Sequence, residues 1–153
     1  MARGNAMTAR PALGISRIAA TLAPYSITVL RVLLGLTFVL HGLPKFSNLA
    51  GFSGFVGSLG MPAPLAVLIP VLEVGGGLLL IAGLATRWVS LLFVLLMLAT
   101  TLLVKLSVGF IAPGNAPGTG AELDLLLAAG AFVLFCYGAG KLALDDVVRP
   151  GAR

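Results

Sequence analysis

Four apolar runs, each close to the ~20 residues that a helix needs to cross a ~30 Å hydrocarbon core, dominate this chain of 153 residues. They predict spans at about 26–44, 64–84, 88–106 and 122–140. A soluble domain of this size leaves much of its surface in water. With 59% hydrophobic and 10% charged residues, a mean hydropathy of +1.10 is more than such a surface accommodates. A bilayer removes the conflict. The expected fold is all-α, a polytopic membrane protein built as a four-transmembrane-helix bundle with the lipid bilayer as its first partner.

Punctuation between the runs orders the helices. Pro62 and Pro64 open the second run, Gly83 closes it, and Thr86-Arg87-Trp88 turns directly into the third, so helices two and three are antiparallel neighbours. The N-terminal segment with Arg3, Arg10 and Arg17, the turn with Arg87 and the tail with Lys141, Arg149 and Arg153 fall on one side, against Lys45 and Lys105 on the other. The positive-inside rule puts the first set, and both termini, in the cytoplasm. Tyr25, Trp88 and Tyr137 fall at that same interface, as an aromatic belt does. The chain divides into a cytoplasmic tail (1–24), a membrane domain (25–146) and a second cytoplasmic tail (147–153). Within the first tail Ile15, Ile18 and Leu22 suit a weakly amphipathic interfacial helix. The run after Ser26 continues to Leu43 without the small-residue cleavage site of a signal peptide.

Between the first two spans, Phe46, Leu49, Phe52, Phe55 and Leu59 interleave with Gly51, Gly54, Gly57 and Gly60. That spacing, with large residues on one side and glycines three apart on the other, predicts a short interfacial or re-entrant segment packed closely against the bundle. The segment 107–120, with Pro113, Pro117 and four glycines, predicts irregular structure.

Several functions are excluded by what is missing. The net charge of +5 comes from residues scattered between apolar runs instead of the clustered basic face that nucleic acid requires. A single cysteine, Cys136, permits neither an internal disulfide nor a CxxC pair and reads as a packing residue. A single histidine, His41, excludes a bis-histidine haem or a His-rich metal site supplied by this chain alone. No metal is expected. Gly140-Lys141 is not a P-loop, because Phe135 and Leu142 stand where that motif needs Gly and Ser or Thr.

An ionisable residue near the bilayer centre costs about 2.5–3.5 kcal/mol on insertion scales, so each one needs a partner, a cavity or a function. Glu73 lies midway along the second span, three residues after Pro70, whose missing N–H frees the Ala66 carbonyl. A carboxylate beside a broken helix suits a binding site, and equally suits a charge pair with Arg31 of the first span. Arg31 itself either reaches Glu73 or snorkels to the headgroups. Arg31, Gly35, Phe38, Gly42 and Lys45 form one stripe on the first helix, and Glu73, Gly76, Gly77 and Leu80 a comparable one on the second. The two stripes predict one glycine-lined interface. At the other end, His41, Lys45, Lys105, Glu122 and Asp124 share a depth and form either an outer polar cluster or a set of interface anchors. A neutral imidazole at His41 can hydrogen-bond a quinone carbonyl or relay a proton. Glu122 also completes a capping box with Thr119. Because residues two apart diverge by ~200° around a helix, at most one of Glu122 and Asp124 faces a shared site.

The ordered set Arg31…Gly35…Phe38…His41-Gly42…Lys45, Gly60-Met61-Pro62, Glu73…Gly76-Gly77, Gly83…Thr86-Arg87, Met97, Glu122 and Gly138-x-Gly140…Leu144-Asp145 resembles the DoxX family of small bacterial membrane proteins, over about 28–146. One departure is Ala143, where the family usually has Ser. The resemblance implies a four-helix bundle in the bacterial plasma (inner) membrane. It also implies a role beside thiosulfate:quinone oxidoreduction or thiol-stress oxidoreductase complexes.

Three functions follow as expectations. The first is the membrane subunit of a quinone-linked or thiol-stress oxidoreductase system, with Arg31, Glu73 and His41 lining a quinone or lipid-like pocket and soluble oxidoreductase subunits as partners. The second is a non-enzymatic scaffold that recruits such enzymes. The third, small-solute transport, draws on Pro70 and Glu73 but lacks the internal repeats usual in transporters.

Overall fold

A computed structural model describes residues 14–114 and 118–148, all helical or irregular with no strand among them. Arg3, Arg10, Pro117, Arg149 and Arg153 lie outside the described residues. The helices are α1 (Gly14–Ser47), α2 (Leu49–Ser58), α3 (Leu65–Ala82), α4 (Thr86–Lys105), α5 (Ala121–Tyr137) and the short α6 (Leu144–Val148). Three of them, α1, α3 and α4, are long and apolar enough to cross a membrane. The fourth predicted span, 122–140, is shortened. α5 stops at Tyr137, where Gly138 takes φ +81° and the chain turns away.

The first span and part of the first predicted tail form one helix of 34 residues. Pro24 and Pro44 lie inside it. Each removes one backbone hydrogen bond, but the run continues through both. Ile15, Ile18 and Leu22 therefore sit on an N-terminal extension of α1, not on a separate helix. α3 and α4 each carry a π-helical turn, Leu72–Gly76 and Thr101–Lys105. The first follows Pro70 directly, where the α-helical ladder is already broken.

In lipid no hydrophobic force drives helices together, so close packing and polar contacts must do so. Glycines supply the approach of α1 to α3. A Cβ on Gly35 would meet the Gly77 carbonyl oxygen at 2.6 Å, and one on Gly77 would meet the Gly35 oxygen at 2.6 Å. Gly42 is as tight against Val74 and Glu73. The two stripes read from the sequence thus face each other. On the far side α4 packs along α5, and Leu34, Phe38, Leu80, Phe93, Met97 and Leu134 fill the centre. The rings of Phe38 and Phe93 stack at 3.6 Å between centroids, 4° from parallel.

α3 ends in a Schellman motif, with Leu84 N–H donating to Leu79 O and Gly83 N–H to Leu80 O. Gly83 has φ +72°. Ala85, at the start of α4, has φ +52° and no capping side chain of its own. The cap comes from afar: Asp145 accepts from Ala85 N at 2.8 Å and Thr86 N at 3.1 Å. Its own N–H donates to Gly83 O. Residues 138–145 therefore form a strap across one end of the bundle. Arg87 fastens the adjacent end of α5 by donating to the Phe135 and Cys136 carbonyls, both at 2.9 Å. Cys136 itself is exposed, contrary to its reading as a packing residue. Losing a capping carboxylate costs about 0.5–2 kcal/mol. Asp145→Ala is accordingly expected to lower stability by about 1 kcal/mol, read by thermal unfolding in detergent. An unchanged midpoint would show that the strap does not hold the α3–α4 turn.

Candidate functional site

Arg31 and Glu73 do not meet across the glycine interface. α1 and α3 are antiparallel, so Arg31 lies against Gly83 while Glu73 packs beside Gly42. The eleven residues from Arg31 to Gly42 span about 16 Å of helix axis, beyond a side chain's reach. The expected Arg31–Glu73 pair is therefore replaced by two separate arrangements. Arg31, 1% exposed, donates to Ala139 O at 3.0 Å and Leu142 O at 3.1 Å in the strap. Thr28 adds a bond to Lys141 O at 2.7 Å. Arg31 neither snorkels nor joins a pocket with Glu73 and His41. It anchors the strap.

Glu73, 3% exposed, is held by Lys45, whose ammonium donates to both carboxylate oxygens at 2.5 and 2.6 Å. Lys45 also lies 5.2 Å from the centre of the Phe52 ring. A charge-assisted, two-point contact of this kind is among the strong hydrogen bonds. The π-helical turn of α3 carries Glu73, and the last turns of α1 carry Lys45.

This ion pair lines a cavity of about 230 Å³ at the end of the bundle opposite the strap. α2 roofs it with Phe52, Phe55, Val56 and Leu59. Asn48 starts α2 by accepting from Gly51 N at 3.1 Å. The segment is a short helix set against the bundle, and its glycines are on the side away from it. Cβ atoms on Gly54, Gly57 and Gly60 would meet nothing within 4 Å, because it is the large residues that turn inward. The remaining lining is mostly apolar, with Phe38, Met61, Ile69 and Met97 among it.

The opposite wall comes from α4 and α5. Asp124, 8% exposed, accepts from the Thr100 hydroxyl at 2.7 Å. Lys105 donates to Thr119 O at 2.5 Å. His41, Lys45, Glu73, Lys105 and Asp124 all line this one cavity, so two ammonium groups and two carboxylates face each other across apolar walls. Glu122 turns elsewhere. It accepts from Gly120 N at 3.2 Å. Gly120 and not Thr119 is the N-cap, so the predicted Thr119–Glu122 capping box does not form. Among the described residues no group of three or more His, Cys, Asp or Glu could hold a metal ion.

Two features of the site escape sequence reading. Thr100 is one polar residue in an apolar helix, and only the approach of α5 makes it the partner of Asp124. The π-helical turn of α4 ends at Lys105 and has no proline to announce it. At the strap end a second cleft of about 390 Å³ is lined by Pro24, Arg87, Trp88, Tyr137, Lys141 and Asp145, among others.

The DoxX family model matches residues 26–106. The chain is similar to a Bacillus subtilis (strain 168) protein named "Putative oxidoreductase CatD", 40% identical over 125 residues, 82% of this chain and 88% of that one. It is also similar to "Inner membrane protein YphA" of Escherichia coli (strain K12), 28% identical over 80% of this chain and 89% of the relative. "Inner membrane protein YqjF" of the same organism is 26% identical over 80% and 92%. No solved structure matches significantly.

Proposed function

The chain belongs to the DoxX family of membrane proteins, and from that premise we propose that it is the quinone-binding membrane subunit of an oxidoreductase system, with the cavity beneath α2 as the quinone site. The observation that carries this reading is the Lys45–Glu73 ion pair in the wall of an otherwise apolar cavity. Ligand sites are largely apolar with a few convergent polar groups, and the residues present fit a quinone. Phe52, Phe55 and Met61 offer flat and polarisable apolar surface, while Lys45 and His41 offer donors to a ring carbonyl. At about 230 Å³ the space suits a ring headgroup whose chain leaves toward lipid.

A bound quinone would supply a two-electron carrier, the electrons coming from a soluble oxidoreductase partner; the Bacillus relative is itself named an oxidoreductase. The chain's own residues would bind, orient and move protons. Lys45 polarises a carbonyl oxygen by donating to it. Glu73 holds that ammonium in place and is the nearest carboxylate to exchange a proton with it. Asp124, with Thr100, is a second proton-exchanging group on the facing wall. Phe38 and Phe93, stacked beneath, keep water from the strap end out of the site.

The same reading takes α5 as the fourth span and both termini as cytoplasmic. At ~1.5 Å per residue its 17 residues reach about 26 Å, close to a ~27–30 Å hydrocarbon core. Trp88, Tyr137, Arg87 and Lys141 gather around the strap-end cleft, which supports that end as the positive-inside face of the bacterial plasma membrane.

A short-chain quinone titrated into nanodisc-embedded protein is expected to bind. Glu73→Gln, which removes the charge that holds Lys45, is expected to weaken binding by about tenfold or more. If the protein binds no quinone and Glu73→Gln leaves electron flow to the quinone pool intact, the proposal is wrong.

A further inference from the structure

One part of the chain takes no share in the site. α1 begins ten residues before Pro24, and Pro24 lies level with Trp88 and Tyr137 around the strap-end cleft. At ~1.5 Å per residue the helix therefore projects about 15 Å past its neighbours. Ile15, Ile18 and Leu22, at i, i+3 and i+7, share one side of this arm. They are 82%, 62% and 59% exposed, with nothing from the described residues over them. Arg17 falls on the opposite side.

We propose that this arm lies in the headgroup layer of an anionic bilayer, apolar side down, hinged at Pro24. Three observations select lipid as the occupant. The arm continues a membrane-spanning helix, so the bilayer surface is within its reach by construction. Charge ahead of the hinge is of one sign: Arg17 lies on the arm, Arg3 and Arg10 come before it in the sequence, and the first acidic residue of the chain is Glu73. The hinge is built in, because Pro24 cannot donate to the Ala20 carbonyl. On either side of it the Thr21 and Ser26 hydroxyls donate to the Arg17 and Ala23 carbonyls, a local competition that eases bending. An amphipathic helix with one apolar side and basic residues opposite binds such surfaces through both terms together.

The test uses the full chain with Cys136→Ser, carrying Ala19→Cys or Ala20→Cys, each labelled with an environment-sensitive fluorophore. Position 19 borders the apolar side and position 20 lies opposite. In vesicles rich in phosphatidylglycerol, the label at 19 is expected to be quenched by spin-labelled lipids and the label at 20 by aqueous iodide. Adding Arg17→Gln is expected to lower the lipid-to-iodide quenching ratio at position 19 by about fivefold, the weight of one basic residue near an anionic surface. Equal iodide quenching at both positions overturns the proposal. So does protection at position 19 that follows protein density instead of phosphatidylglycerol content, since a second copy would then be the occupant.

Discussion

Replacing Lys45 with Met is expected to destabilise the protein by about 3–5 kcal/mol, the largest loss among single substitutions at the cavity. The cause is the partner left behind. Glu73 is 3% exposed and takes both its hydrogen bonds from Lys45, so truncating the lysine strands a carboxylate among apolar side chains. Removing both charges has a different outcome. Lys45→Met with Glu73→Leu replaces a pair whose carboxylate is buried and whose lysine side chain is 27% exposed by apolar groups of similar volume, and for buried pairs that change is often neutral or stabilising. The double variant is therefore expected to melt close to the parent protein while losing quinone binding. Thermal unfolding of the single and the double variant in one detergent measures the first claim, and titration of a short-chain quinone the second. A Lys45→Met midpoint equal to the parent's would mean that the pair carries no stability. A double variant that still binds quinone normally would remove the ion pair from the site's chemistry.

Gly35→Leu is expected to prevent assembly of α1 on α3. The obstacle is backbone, which cannot step aside: even a Cβ at Gly35 would lie 2.6 Å from the Gly77 oxygen and 2.8 Å from the Ile81 side chain. Overpacking against movable side chains costs about 1–3 kcal/mol, and the fixed oxygen puts Gly35→Leu above that range. Parting the two helices would also loosen Gly42 from Glu73 and Arg31 from Gly83, disturbing both ends at once. Gly54→Ala on α2 is the control. It meets nothing within 4 Å, and Ala in place of a helical Gly gains roughly 0.5–1 kcal/mol. Size-exclusion profiles of fluorescently tagged variants report both. A monodisperse Gly35→Leu peak at the parent's yield and melting temperature would show that α1 and α3 do not depend on this contact.

The two π-helical turns stand in the same relation to the cavity. Both deliver a charged residue, Glu73 or Lys105, to the same cavity. Turns of this kind recur at functional sites, and here each adds one residue per turn where a polar side chain must leave the lipid-facing surface. Pro70 explains where the first one starts. The second has no such marker, and its place follows from the contact of α4 with α5.

Much of the bundle was legible because a bilayer acts on one coordinate, depth. Hydropathy along the chain located α1, α3 and α4, and Gly83 marked the turn between the last two. The 3.6-residue period put Arg31, Gly35, Phe38, Gly42 and Lys45 on one stripe, which the structure finds against α3. The same one-dimensional reasoning failed where depth on two different helices had to be compared. Depth alone allows Arg31 to pair with Glu73, because both lie inside apolar runs, yet the seating of Gly35 on Gly77 sets a register that holds them about 16 Å apart. Glu73 then finds Lys45, and Arg31 finds the strap carbonyls of Ala139 and Leu142. Hydropathy and helical period are properties of one segment, so they give the depth of a residue and the neighbours it shares a helix side with, though not its exposure, as Cys136 shows. Pairing lies beyond them, because a partner is set by the axial register between helices, and that register arises from contacts no single helix contains.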